Sequence, residues 1–145
     1  MTGTFSFHNE KLNGKPFILV AEDDVDDVEL LMESLAKFTD IQLHVESNGR
    51  KAFDFLESLP IDSLPKLLIF DYNLPEINGC DVLNKIKDNP KYISIPKVVW
   101  STSSSPVFKK TCIEYGAHIY YVKPADLAGF DSFAELIHSM LTGKA

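Results

Sequence analysis

Two hydrophobic rhythms alternate along this chain. Phe17-Ile18-Leu19-Val20-Ala21 is an unbroken apolar run, the signature of a strand buried on both faces. Val28, Leu31, Leu35 and Phe38 then recur at helical spacing. Ile41 to Glu46 alternates strictly, with Ile41, Leu43 and Val45 on one face and Gln42, His44 and Glu46 on the other. That pattern predicts an edge strand with a wet face and a solvated His44. Ala52, Phe53, Leu56 and Leu59 predict a second helix closed by Pro60, and Lys66 to Phe70 a second fully buried strand. Val82, Leu83 and Ile86 predict a third helix, which Asn89-Pro90 stops. Lys97 to Trp100 reads as the next strand. Ser105-Pro106 has the form of an N-cap and first helical residue, opening a helix that runs through Phe108, Cys112 and Tyr115 to Gly116. His118 to Val122 predicts the last strand, and Phe133, Leu136, Ile137 and Met140 a closing amphipathic helix.

Residues 1–15 read as a polar N-terminal extension, and 16–145 as one domain of five strand–helix units. Such alternation predicts an α/β fold: a five-stranded parallel sheet with helices on both faces. The segment Ile41–Glu46 is the best edge candidate, which favours the flavodoxin-like order 2-1-3-4-5. Ligands of these sheets sit beyond the carboxyl ends of the strands, where strands one and three part. Polar residues close the apolar runs at that end: Glu22 and Asp23, Asp71, Ser101 and Lys123. A carboxylate such as Asp71 at the mouth of a buried strand is costly to desolvate unless something uses it. The topology predicts that these groups, far apart in sequence, meet at one edge.

Length and composition bound the rest. A chain of 145 residues, 45% apolar, suits one ordinary domain with its own core. A net charge of −7, with no basic cluster denser than Lys109-Lys110, argues against nucleic acid as a partner. No apolar run approaches the roughly 20 residues that span a bilayer. Met1 to Lys15 lacks the pattern of a signal peptide, so a cytoplasmic protein without membrane association is expected. Cys80 and Cys112 form no CxxC and read as small structural thiols rather than metal or redox ligands.

If Glu22, Asp23 and Asp71 are ionised together, unit charges about 4 Å apart repel by about 4 kcal/mol at an effective dielectric of 20. A proton or a cation must relieve this. Mg2+ prefers oxygen ligands and commonly takes one or two carboxylates with waters and phosphate oxygens. The three carboxylates, Lys123 and a divalent cation form a neutral set that can accept a phosphoryl group. A carboxylate is a competent nucleophile for phosphoryl transfer, giving an aspartyl phosphate, and Asp71 is central enough for that role. The metal and Lys123 would stabilise the developing charge, and Ser101 could donate to a phosphoryl oxygen.

Several stretches also carry a family resemblance: Phe17 to Asp24, Asp71-Tyr72-Asn73-Leu74-Pro75 with Gly79, Ser101, and Lys123-Pro124. Their order and spacing resemble the receiver domain of a two-component response regulator, over about residues 16–141. The resemblance implies that Asp71 accepts a phosphoryl group from a phosphohistidine. It implies Mg2+, or alternatively Mn2+, bound by Asp23 and Asp71 directly, by Glu22 through water and by the Asn73 carbonyl. Ser101 would be the switch hydroxyl, Tyr120 the switch aromatic, and Asn73 and Ser103 would tune the lifetime of the phosphoryl group. Asp24 is left as a cap for the first helix. The run Asp23 to Leu30 most resembles small stand-alone regulators that partner phytochrome-type histidine kinases.

The resemblance further implies a sensor histidine kinase or phosphotransfer protein as donor. With no output domain expected after the last helix, a downstream protein or a second copy of the chain would receive the signal, through a surface holding Phe108, Tyr115 and Tyr120. Trp100 reads as strand packing, and the Ser101–Ser105 run as helix-capping hydroxyls. On this reading the protein is no turnover enzyme beyond its own phosphorylation and dephosphorylation. The competing enzyme class, a phosphatase of the haloacid-dehalogenase type, normally has an early Asp-x-Asp strand; here the motif is mid-chain and its third position is Asn73. A receiver that works without phosphorylation would be expected to have lost the acidic set, which is intact.

Overall fold

The computed structural model describes residues 15–38 and 41–143. The extension expected over residues 1–15 lies, except for Lys15, outside the described residues. Five strands, β1 (Phe17–Ala21), β2 (Gln42–Glu46), β3 (Leu67–Asp71), β4 (Lys97–Ser101) and β5 (Ile119–Val122), form one sheet. All neighbours are parallel and the order is β2-β1-β3-β4-β5, as the alternation predicted. Every residue of β1, β3 and β4 is buried, which is why those segments are almost continuously apolar.

The helices are α1 (Val25–Leu35), α2 (Gly49–Ser58), α3 (Gly79–Ile86), α4 (Pro106–Glu114) and α5 (Leu127–Thr142), with a single 3-10 turn at Ile61–Ser63 that hydrophobic spacing did not foreshadow. Helices α1 and α5 cover one face of the sheet, packing Val28, Leu31, Phe133 and Ile137 against Ile18, Val20, Ile69 and Trp100. On the other face Ala52, Leu56, Leu83 and Cys112 of α2, α3 and α4 meet Leu19, Leu68, Phe70 and Val99. Trp100 does pack as expected: its ring is fully buried and stacks on Phe133 at 5.2 Å. None of the described helices is long and apolar enough to cross a membrane.

Two sequence expectations need correction. His44 is not solvated. It is buried, its ring stacks on Phe55 of α2 at 3.7 Å, and Nε2 lies 2.7 Å from a Glu46 carboxylate oxygen. The polar face of the edge strand is covered because imidazole offers α2 a flat ring while Glu46 satisfies its nitrogen.

Nor are Cys80 and Cys112 separate thiols. They form a disulfide between α3 and α4, with Cα atoms 5.3 Å apart and a sequence separation of 32. Only the packing of the two helices brings them together. Cys112 is the one fully buried residue of α4, so the bridge is also that helix's main inward anchor. Reduction of the bridge is expected to lower the free energy of unfolding by about 3–4 kcal/mol, the entropy of a closed loop of this length. Urea unfolding with and without a dithiol reductant measures it. Two titratable thiols in the unreduced protein, with no shift on reduction, would contradict the pairing.

Candidate functional site

The carboxyl ends of β1 and β3 adjoin, and their polar residues are aimed together by local structure. Glu22 follows β1 and its amide donates to Glu46 O. Glu22 Oε2 in turn accepts the Asp24 amide at 3.0 Å. Asp24 caps α1, as expected, its side chain accepting from the amides of Asp26 and Asp27. Asp71 ends β3; Oδ1 accepts the Asn73 amide at 3.1 Å, which fixes the carboxylate and the start of the following loop. Gly79 opens α3 hard against this point: a Cβ there would lie 2.2 Å from the Asp71 carbonyl oxygen. Any side chain would push α3 off the strand end.

Glu22, Asp23 and Asp71 each place a carboxylate oxygen within 4.8 Å of the others. Glu22 and Asp71 are buried, Asp23 exposed. Lys123, its side chain only 8% exposed, puts Nζ 2.8 Å from Glu22 Oε1 and 3.3 Å from Asp71 Oδ2. The Glu22 contact is a buried ion pair. Three carboxylate oxygens gathered within 4.8 Å suit a hard divalent cation, and the donor set fits Mg2+ or Mn2+. Burial, the hydrogen bond to Asp71 and that residue's charge push Glu22 up to about 8, against the opposing pull of Lys123. Burial alone would lower Lys123, but Glu22, Asp27 and Asp71 outweigh it and hold the ammonium above the usual lysine range. Glu22 is therefore the carboxylate of this cluster that is hardest to ionise without a cation.

Asp27 was not foreseen as part of this site. It lies in the first turn of α1, and its Oδ2 accepts from Lys123 Nζ at 2.9 Å. The acidic run Glu22 to Asp27 hid it, because acids in a first helical turn already have an explanation in the helix dipole.

The hydroxyl groups form a separate relay. Ser101 is fully buried at the end of β4, its carbonyl taking the Lys123 amide at 2.7 Å. Its Oγ accepts the Ser103 amide, Ser103 Oγ accepts the Ser105 amide, and Ser105 caps α4. Tyr120 is half-buried and its hydroxyl donates to Ser103 O at 2.7 Å. Thus Glu22, Asp23, Asp71 and Lys123 meet directly. Asn73 touches Asp71 through its amide, Ser101 touches Lys123 through backbone, Ser103 belongs to the loop leading into α4, and Tyr120 of β5 is tied to that loop by its hydroxyl.

Comparison with known proteins is consistent with this geometry. The phosphorylated cyanobacterial phytochrome response regulator RcpA superposes with a TM-score of 0.81 at 28% identity, covering 90% of this chain and 96% of that one. The Mn2+-bound response regulator Rcp1 gives 0.76 at 31% identity, covering 86% and 92%. The two-component response regulator ORR3 of Oryza sativa is 29% identical over 110 residues, 76% of this chain and 81% of that protein. A probable cyclic di-GMP phosphodiesterase of Vibrio cholerae is 31% identical over 127 residues, but the match spans only 27% of its length. The sequence model of the response regulator receiver domain matches residues 18–133. With that match over most of the chain, and an acidic cluster and lysine at the carboxyl edge of a 2-1-3-4-5 sheet, the protein belongs to the response regulator receiver domain family.

Proposed function

We propose that this domain is a phosphorylation-driven switch, in which Asp71 takes a phosphoryl group from a phosphohistidine of a sensor kinase or phosphotransfer protein. The observation that carries the reading is the meeting of Asp71 with Glu22, Asp23 and Lys123 at the carboxyl edge of the sheet. A carboxylate oxygen of Asp71 forms the new P–O bond as the P–N bond to the donor imidazole breaks, and the leaving nitrogen keeps the electron pair. Asp23, Asp71 and the Asn73 carbonyl, with Glu22 through water, would hold Mg2+, which would supply charge neutralisation. Lys123 pairs with the transferred group.

Ser101 and Tyr120 then read the result. A phosphoryl oxygen competes for the Ser101 hydroxyl, and the Ser101–Ser103–Ser105 relay passes the change to the N-terminus of α4, where Tyr120 is tied. Asn73, bonded to Asp71 through its amide, and Ser103, bonded to Ser101 Oγ, set how fast water reaches the acyl phosphate. Output goes through protein contacts of α4, β5 and α5, to a downstream protein or a second copy. The likeness to the phytochrome response regulator RcpA supports a phytochrome-type kinase as donor.

The test is intact mass after incubation with a small phosphodonor, with and without Mg2+. One added phosphoryl group that requires the metal is the expected result. No incorporation under either condition, or steady turnover of a phosphoester in its place, would sink the reading.

A further inference from the structure

Asp27 adds a fourth carboxylate to a set that balances without it. Lys123 has three N–H donors and faces three carboxylates: Glu22 at 2.8 Å, Asp27 at 2.9 Å and Asp71 at 3.3 Å. The longest contact is the one to the nucleophile. Asp27 projects from the first turn of α1, whereas Glu22 and Asp71 sit at the ends of β1 and β3. It is the most exposed of the lysine's three partners, 21% against 0% and 7% for the side chains of Glu22 and Asp71. With Glu22, Asp23 and Asp71 ionised, Lys123 and a divalent cation complete a neutral group; Asp27 leaves one negative charge over.

We propose that Asp27 is a positioning residue that holds Lys123 toward α1 and competes with the phosphoryl group for it. The inference rests on the reading of Asp71 as phosphoacceptor. Two physical effects of Asp27 act in the same direction on the phosphorylated form. A phosphoryl group drawing Lys123 inward must loosen a 2.9 Å charge-assisted hydrogen bond. Its negative charge also meets an uncompensated negative charge a few ångströms off. On the metal-bound form without phosphoryl, Asp27 acts oppositely. It adds negative potential that favours a dication, and it keeps the ammonium from closing on Asp71, a metal ligand in the proposed site. Asp27 therefore favours the cation and disfavours the phosphoryl group.

The opposed signs give the test. Mg2+ affinity, and the affinity for beryllofluoride at Mg2+ concentrations that saturate each protein, are measured on the full chain and on Asp27→Asn and Asp27→Glu. Beryllofluoride is a tetrahedral analogue of the phosphoryl group that needs no turnover. Trp100, the only tryptophan, has its ring 5.3 Å from Lys123 Nζ and serves as a fluorescence reporter of the ammonium. Asp27→Asn is expected to bind Mg2+ several-fold more weakly and beryllofluoride about tenfold more tightly, the effect of one nearby charge. Asp27→Glu is expected to restore both toward wild type. A variant that binds both more weakly, or both as wild type does, overturns the proposal, since a residue that merely supports the fold cannot improve one affinity while harming the other. If the wild-type protein binds neither probe, the phosphoacceptor reading itself falls and this inference with it; wild-type binding of both keeps the two failures distinct.

Discussion

Asp71→Asn is expected to abolish Mg2+-dependent phosphoryl incorporation while making the metal-free protein more stable. The first half follows from chemistry. An amide oxygen is a poor nucleophile for phosphorus, and none of the neighbouring carboxylates has the same central place at the end of β3. The second half follows from charge. Asp71 and Glu22 are both buried, and the hydrogen bond and charge of Asp71 add to burial in pushing Glu22 up to about 8. Between the ordinary carboxylate range and that value, the folded state holds a proton that the unfolded chain releases. The metal-free fold thus loses stability as pH rises through this window. Removing the Asp71 charge flattens the slope. A gain of about 1–2 kcal/mol over wild type is expected above pH 8, shrinking toward pH 5. The amide keeps the acceptor that Asn73 uses, so the loop need not rearrange. Intact mass and urea unfolding at both pH values check the two halves. Incorporation equal to wild type would remove Asp71 from its role, and a loss of stability would show that its contact with Lys123 outweighs the repulsion.

Such a trade is what one expects where a protein keeps a poor local arrangement for use. It also explains which parts of the molecule were legible in the sequence. The strands were, because a parallel sheet covered on both faces demands nearly continuous apolar runs, and β1, β3 and β4 supply them. The meeting of Glu22, Asp23, Asp71 and Lys123 was, because strand order alone carries chain ends to one edge. What escaped has one cause: contacts made by residues whose local role already looked complete. His44 fitted a polar strand face, yet α2 covers it. Asp27 fitted a helix dipole, yet its oxygen reaches Lys123. Cys80 and Cys112 lie on different helices, and no spacing rule joins residues whose proximity depends on how α3 and α4 pack. Lys97 looked like a polar strand start but is buried, its Nζ donating to the carbonyls of Tyr92 and Ile95.

Lys123→Met is expected to destabilise the protein by an amount that depends on pH and metal. Methionine keeps most of the aliphatic stem, so the charge is what goes, and with it the ammonium's place 5.3 Å over the Trp100 ring. The ammonium is the one cation among Glu22, Asp27 and Asp71 in the described structure. Removing one partner of a buried ion pair costs about 3–5 kcal/mol, because the remaining charge is left uncompensated. Here protonation supplies an escape. Without Lys123 the pull that opposes burial and Asp71 is lost, and Glu22 rises further above its ordinary range. The variant should therefore be only mildly destabilised near pH 5, where Glu22 is protonated, and should lose about 3 kcal/mol near pH 8, where deprotonation is forced on the unfolded chain alone. Mg2+ should bind it more tightly than wild type, since the competing cation is absent, and should recover most of that loss. Urea unfolding at the two pH values, each with and without Mg2+, separates the terms. A loss that is equal at both pH values and indifferent to Mg2+ would mean that Lys123 acts through its contact with Trp100 and not through the carboxylates, and that the site is not organised by charge.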